Sequence, residues 1–125
     1  MKIVVIGLNH KSAPIQIRER LSFNKTQATD LLNQLREQYP AAEFALLSTC
    51  NRVELYTVSD LDGWNQDNEL IDFLARVKRF TTEEFKEHLY IHVGEDAVRH
   101  LLTVTSGLDS LVLGESQIVG QVKDC

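Results

Sequence analysis

The sequence predicts an α+β fold, a ferredoxin-like split β-α-β sheet with additional helices. Three observations carry this reading. Ile3-Val4-Val5-Ile6 is an unbroken β-branched run, as expected of a central strand covered on both faces. Two further apolar runs, at about 43–48 and 53–59, are separated only by a polar break, and a fourth run spans Leu89 to Val93. Segments with apolar residues at helical spacing fill the intervals after the first and third runs, so the order is β-α-β-β-α-β followed by helices.

Each element has a local reason. Asn9-His10-Lys11-Ser12-Ala13-Pro14 ends the first strand with turn-forming residues, and Ile15 to Leu21 then suits a short helix with Arg18, Glu19 and Arg20 solvated or paired. Asn24 with Gln27 three residues on has the form of a capping box. It opens a helix with Ala28, Leu31, Leu32 and Leu35 on one face, closed by Tyr39-Pro40. After the two central strands, Asp60 to Asp67 is a polar loop. Leu70, Phe73, Leu74 and Val77 mark an amphipathic helix whose Lys78 and Arg79 complement its C-terminal dipole. Thr81 and Glu84 cap a short helix before the fourth strand. Beyond Gly94, Ala97, His100, Leu101 and Val104 recur at helical spacing up to Gly107. Leu108 to Leu113 is a connection, and Gly114 opens a last helix with Ile118, Gln121, Val122 and Cys125 on one face. That helix reaches Cys125 with no stop signal, so the chain is expected to be the front of a longer protein.

At 125 residues the length fits one domain, 1–125, with 43% hydrophobic and 25% charged residues, an ordinary globular balance. No apolar run reaches the roughly 20 residues of a membrane span. The apolar start is too short for a secretory signal, and two cysteines make no disulfide framework, so a cytoplasmic location is expected. A net charge of −5 argues against non-specific binding to nucleic acid, although a few contacts to a tRNA acceptor end remain compatible with it.

The chemistry centres on the break between the middle strands, Ser48-Thr49-Cys50-Asn51-Arg52. A thiolate at a rigid strand end beside a cation is a nucleophile, and Arg52 can supply that field or fork onto a substrate carboxylate. An isolated cysteine is equally a small buried hydrophobe, and Ser-Thr-Cys-Asn equally a polar turn. His100, on the apolar face of its helix, is either a satisfied core residue or a general acid/base. His10 reads as structural or solvated. His88 and His92 have a metal spacing only on one helix, and His92 falls on a strand, so no metal site is expected. Glu115, Ser116, Gln117 and Gln121 open a helix with groups suited to a zwitterionic ligand, or are ordinary first-turn residues. No Gly-x-Gly-x-x-Gly follows a strand, so no dinucleotide site is expected in this chain.

Three stretches together resemble one family: Gly7-Leu8-Asn9-His10-Lys11-Ser12-Ala13-Pro14, Leu47-Ser48-Thr49-Cys50-Asn51-Arg52-Val53-Glu54-Leu55-Tyr56, and the run from His100 through Gly107-Leu108-Asp109-Ser110 and Leu113-Gly114-Glu115-Ser116-Gln117-Ile118-Val119-Gly120-Gln121 to Lys123. They resemble glutamyl-tRNA reductase over the whole chain. The resemblance implies that this is the N-terminal catalytic domain and that Cys50 attacks the ester of glutamyl-tRNA(Glu) to form a glutamyl thioester. NADPH then reduces the thioester to glutamate-1-semialdehyde for tetrapyrrole synthesis. It places substrate contacts on Thr49, Cys50, Asn51, Arg52, Ser110, Glu115, Ser116, Gln117 and Gln121, and matches His100 to an activity-critical histidine. An NADPH-binding domain and a dimerisation domain are expected to follow, so the chain alone should be a monomer that acylates or hydrolyses but does not reduce. The full-length protein is expected to be a homodimer that passes product to glutamate-1-semialdehyde aminomutase. Ser116 departs from the proline usual in that motif, which loosens the helical turn it would preorganise. Two other readings are a non-enzymatic small-molecule binding module with Cys50 inert, and a small cysteine hydrolase built on Cys50 and His100.

Overall fold

A computed structural model describes residues 2–60 and 66–107, and its centre is a four-stranded antiparallel sheet in the order β2-β3-β1-β4. The strands are β1 (Lys2–Asn9), β2 (Ala42–Ser48), β3 (Arg52–Ser59) and β4 (Tyr90–Val93). This is the split β-α-β arrangement expected from the element order. Helices α1 (Ile15–Leu21) and α2 (Lys25–Gln38) lie between β1 and β2 in the chain, and α3 (Gln66–Lys78) and α4 (Thr82–Lys86) between β3 and β4. Helix α5 (Glu95–Gly107) follows β4.

The two faces of the sheet have different contents. Val4, Ile6 and Leu8 of β1 share one face with Val53 and Leu55 of β3 and Phe44 and Leu46 of β2. These residues join Leu21, Phe23, Leu31, Leu32, Leu35, Leu70, Phe80 and Phe85 in a single hydrophobic core. The opposite face carries Val5, Gly7, Glu54, Tyr56, Tyr90 and His92 in register, and α5 lies against β1 and β4. Val4 to Leu8 are all buried, so β1 is covered on both sides as its β-branched run requires. It extends past Ile6 to Asn9, because Gly7 and Leu8 continue the ladder with Glu54 and Val53.

The caps follow the sequence signals, and individual residues along the helices differ from them. Asn24 and Gln27 form a reciprocal capping box, and the Glu84 amide donates to Thr81 Oγ1 at 3.2 Å. The Glu84 carboxylate, however, pairs with Arg20 instead of completing a second box. Lys78 does not simply complement the α3 dipole: its ammonium donates to the Ser22 carbonyl at 2.6 Å and sits 4.1 Å from the Phe23 ring centroid. Val77, expected on the buried face of α3, is exposed. On α5, Ala97 and Val104 are buried, whereas Leu101 and its neighbours Val98 and Leu102 line an apolar groove of about 340 Å³ with Ile3, Leu47 and Val58. Of the polar loop expected over Asp60 to Asp67, Gln66 and Asp67 already belong to α3, and 61–65 lie outside the described residues, as do the connection and last helix predicted over 108–125.

Candidate functional site

The break between β2 and β3 is a tight turn built by Thr49. Its amide donates to the Arg52 carbonyl at 2.8 Å, and its Oγ1 accepts from the amides of Asn51 and Arg52 at 3.2 and 3.3 Å. A Thr hydroxyl that satisfies two turn amides holds the intervening backbone in one shape. Cys50 is at the apex, a free and partly exposed thiol. From the other side, Arg18 of α1 donates through Nη1 to the Cys50 carbonyl at 3.3 Å. Ser48 Oγ accepts from the Phe23 amide at 3.0 Å, tying the α1–α2 junction to the foot of the turn. The thiol is thus carried by a backbone pinned at several points, with two guanidinium-bearing residues, Arg18 and Arg52, close in the structure. Asn51 is exposed.

Two residues into β3 the sheet holds a cluster that the sequence analysis did not single out. Glu54 is fully buried, although it stands in a polar-apolar alternation that suggests a solvent-facing position. Its Oε1 accepts from the Tyr56 hydroxyl at 2.8 Å. Its Oε2 accepts from the Tyr90 hydroxyl, meets His100 Nε2, and lies 3.4 Å from Arg52 Nη1. His92 of β4 stacks on His100 with ring centroids 4.5 Å apart. Burial beside the Glu54 carboxylate pushes both tyrosine hydroxyls far above their usual pKa, so both remain donors. Burial, and next the nearby His100, push His92 down.

The register explains how this cluster forms. Gly7 of β1 stands between Glu54 on β3 and Tyr90 on β4. A Cβ on Gly7 would come within 2.7 Å of the Val53 carbonyl oxygen and 2.8 Å of Glu54 Cγ. Without it, the Glu54 side chain can cross over β1 and reach Tyr90 and His100. A glycine within a strand, directly after its β-branched run, is the one sequence signal for such a close approach.

The predicted site residues therefore fall into three groups. Thr49, Cys50, Asn51 and Arg52 come together in one turn, and Arg52 also belongs to the Glu54 cluster. His100 is brought to Glu54 and not to the thiol: among the described residues its Nε2 contact is the carboxylate, so the Cys50–His100 hydrolase pair has no support in the geometry. Ser110, Glu115, Ser116, Gln117 and Gln121 lie outside the described residues. His88 occupies a turn, its Nδ1 3.4 Å from the Ser12 carbonyl oxygen, and His92 a strand. His10 is exposed.

Known proteins place this geometry in a family. Residues 6–125 match the family described as glutamyl-tRNAGlu reductase, N-terminal domain. The chain is 48% identical over 98% of its length to a glutamyl-tRNA reductase of Alkalilimnicola ehrlichii, of which it covers 27%. It is 43% identical over its full length to one from Cyanophora paradoxa, covering 29% of that protein. A solved glutamyl-tRNA reductase from Methanopyrus kandleri aligns with 93% of the chain at a TM-score of 0.61 and 30% identity, the match covering 25% of that structure. The chain thus spans under a third of the length of these relatives. On a fold, a turn and a sequence match that agree, this chain belongs to the glutamyl-tRNA reductase N-terminal domain family.

Proposed function

We propose that this chain is the acylating domain, residues 1–125, of a glutamyl-tRNA reductase, and that Cys50 is its nucleophile. The observation that supports this most is the Thr49-built turn, which presents a partly exposed thiol on a pinned backbone. The thiol loses its proton and the sulfur attacks the ester carbonyl joining glutamate to the terminal ribose of its tRNA. The C–O bond then breaks, the ribose oxygen takes up a proton, and a glutamyl thioester remains on Cys50. Arg18 holds the Cys50 carbonyl through Nη1, and Arg52 stands in the same turn. Arg52 also has the planar fork that suits the substrate's γ-carboxylate. Thr49, Asn51, Ser110, Glu115, Ser116, Gln117 and Gln121 complete the substrate contacts in this reading, with Glu115 suited to the ammonium, and His100 keeps the activity-critical role that the resemblance implies.

The described residues do not fit NADPH. Their sheet is antiparallel throughout, and the strand-to-helix turn at Gly94 holds one glycine whose amide already donates to the Ile3 carbonyl at 2.8 Å. Reduction to glutamate-1-semialdehyde by NADPH, homodimerisation and hand-over to an aminomutase accordingly belong, in this proposal, to the part of the relatives that the chain does not span. No helix among the described residues is long and apolar enough to cross a membrane, in keeping with the proposed cytoplasmic location.

The deciding experiment mixes the chain with glutamyl-tRNA, quenches in acid without NADPH, and reads the Cys50 peptide by mass spectrometry. A glutamyl adduct on that peptide, absent from Cys50→Ser, is the expected result. An unmodified Cys50 peptide with free thiol intact would overturn the assignment of acylation to this domain and leave a binding module.

A further inference from the structure

The buried carboxylate has no role in the thioester step, yet it meets the side chains of Arg52, Tyr56, Tyr90 and His100. We infer that Glu54 is a positioning residue that fixes the tautomer and orientation of His100, with Gly7 providing the passage and Tyr56 and Tyr90 holding the carboxylate. The inference rests on the proposed acylation only for its kinetic consequence.

An ionised carboxylate only accepts hydrogen bonds. Both tyrosines donate to it, and Arg52 approaches the same Oε2. His100 presents Nε2 to that oxygen, so Nε2 must carry the proton. A neutral His100 therefore keeps its lone pair on Nδ1, which makes Nδ1 the nitrogen able to take a proton from substrate or water. Free imidazole exchanges between two tautomers, and a fixed acceptor at Nε2 leaves only one of them. Stacking on His92 at 4.5 Å and the Tyr90 ring at 5.1 Å restrict rotation of the ring. The anchor is rigid because the Glu54 side chain is fully buried and its Cγ lies only 2.8 Å from where a Gly7 Cβ would be.

The test labels histidine with ¹⁵N in the 125-residue chain and reads long-range ¹H–¹⁵N correlations, with His100 assigned by its loss in His100→Gln. Acylation of Cys50 by glutamyl-tRNA is timed in the same preparations. Wild type should show His100 as the Nε2–H tautomer. Glu54→Gln keeps the volume but replaces the charge with an amide that can also donate, so His100 should become a tautomer mixture and acylation should slow by about 10- to 100-fold, the loss expected for one charge-assisted hydrogen bond. Tyr90→Phe, which leaves the carboxylate in place, should retain the Nε2–H tautomer with a smaller rate loss, and it keeps the test decisive if Glu54→Gln folds poorly. A wild-type His100 in the Nδ1–H form, or an unchanged tautomer in Glu54→Gln, would overturn the inference even if Cys50 acylates normally. A locked Nε2–H tautomer in a chain that never acylates would leave the positioning intact and overturn the proposed function instead.

Discussion

At Gly7 a single added methyl group meets the sheet itself. In Gly7→Ala the new Cβ meets backbone at Val53 and the Glu54 side chain, and neither can yield without disturbing the β1–β3 ladder or the buried carboxylate. Overpacking of this kind costs about 1–3 kcal/mol. Urea denaturation should show a lower midpoint at unchanged slope, and an unaltered midpoint would mean that Glu54 can leave its place freely. Thr57 presents the opposite case. It is fully buried, its Oγ1 has no hydrogen-bond partner among the described residues, and it faces an apolar core. Thr57→Val should therefore raise stability by about 1 kcal/mol, since an unpaired buried hydroxyl is replaced by a methyl of similar shape. A loss of stability would show that the hydroxyl is satisfied in solution. Single residues also mark how far the sequence could be read. Thr49, Cys50, Asn51 and Arg52 are adjacent in the chain, so their turn was legible. Glu54 was not: on a period of two it falls opposite Val53 and Leu55 and looks solvent-facing. Only the presence of β1, with Gly7 opposite it, and of Tyr90 and His100 beyond, makes that position an interior one.

At the scale of elements, helix ends were the most predictable features, because a cap depends on residues three or four apart. The Asn24–Gln27 box and the Thr81 cap are such local contacts. The end of α3 is less favourable. Arg79 adopts φ 59° as the helix closes, with the Phe80 amide donating to the Ala75 carbonyl at 2.9 Å. A left-handed residue with a Cβ is strained by about 1 kcal/mol relative to glycine, and Arg79 is exposed. Arg79→Gly should therefore raise the urea midpoint slightly, and a fall would show that the guanidinium contributes more than the backbone strain costs. Lys78 illustrates the limit of local reading. Its place in the last turn suggested a dipole partner, yet its ammonium goes to Ser22 on another element, a contact spanning 56 residues that no periodicity reveals.

The whole molecule enters through linkage between folding and protonation. Burial and His100 together lower the pKa of His92, with Asp96 and Glu54 opposing them in part. In the unfolded chain His92 regains its ordinary value, about 6.5. Below that value the unfolded chain binds a proton that the folded chain binds more weakly, so this contribution to stability is complete above about pH 6.5 and is lost as pH falls through the folded pKa. Wild type should lose stability relative to His92→Gln as pH is lowered from about 7 to about 5. A difference constant over that range, measured from urea midpoints, would show that His92 titrates alike in both states.

By itself the sequence determined the strands and helices of the described residues, their order and the cysteine turn, because each depends on residues near one another in the chain: period-two runs, helical spacing, capping pairs and a Ser-Thr-Cys-Asn-Arg break. The order also implied the split sheet, since short connections and antiparallel pairing leave few arrangements. Tertiary structure alone decided which polar residues became interior. Glu54, Tyr90 and His100 span 46 residues, and they meet because two strands flank β1 at its one glycine and a helix closes over the same face. That meeting depends on strand register, which is set by the pairing of the whole sheet rather than by any stretch of it.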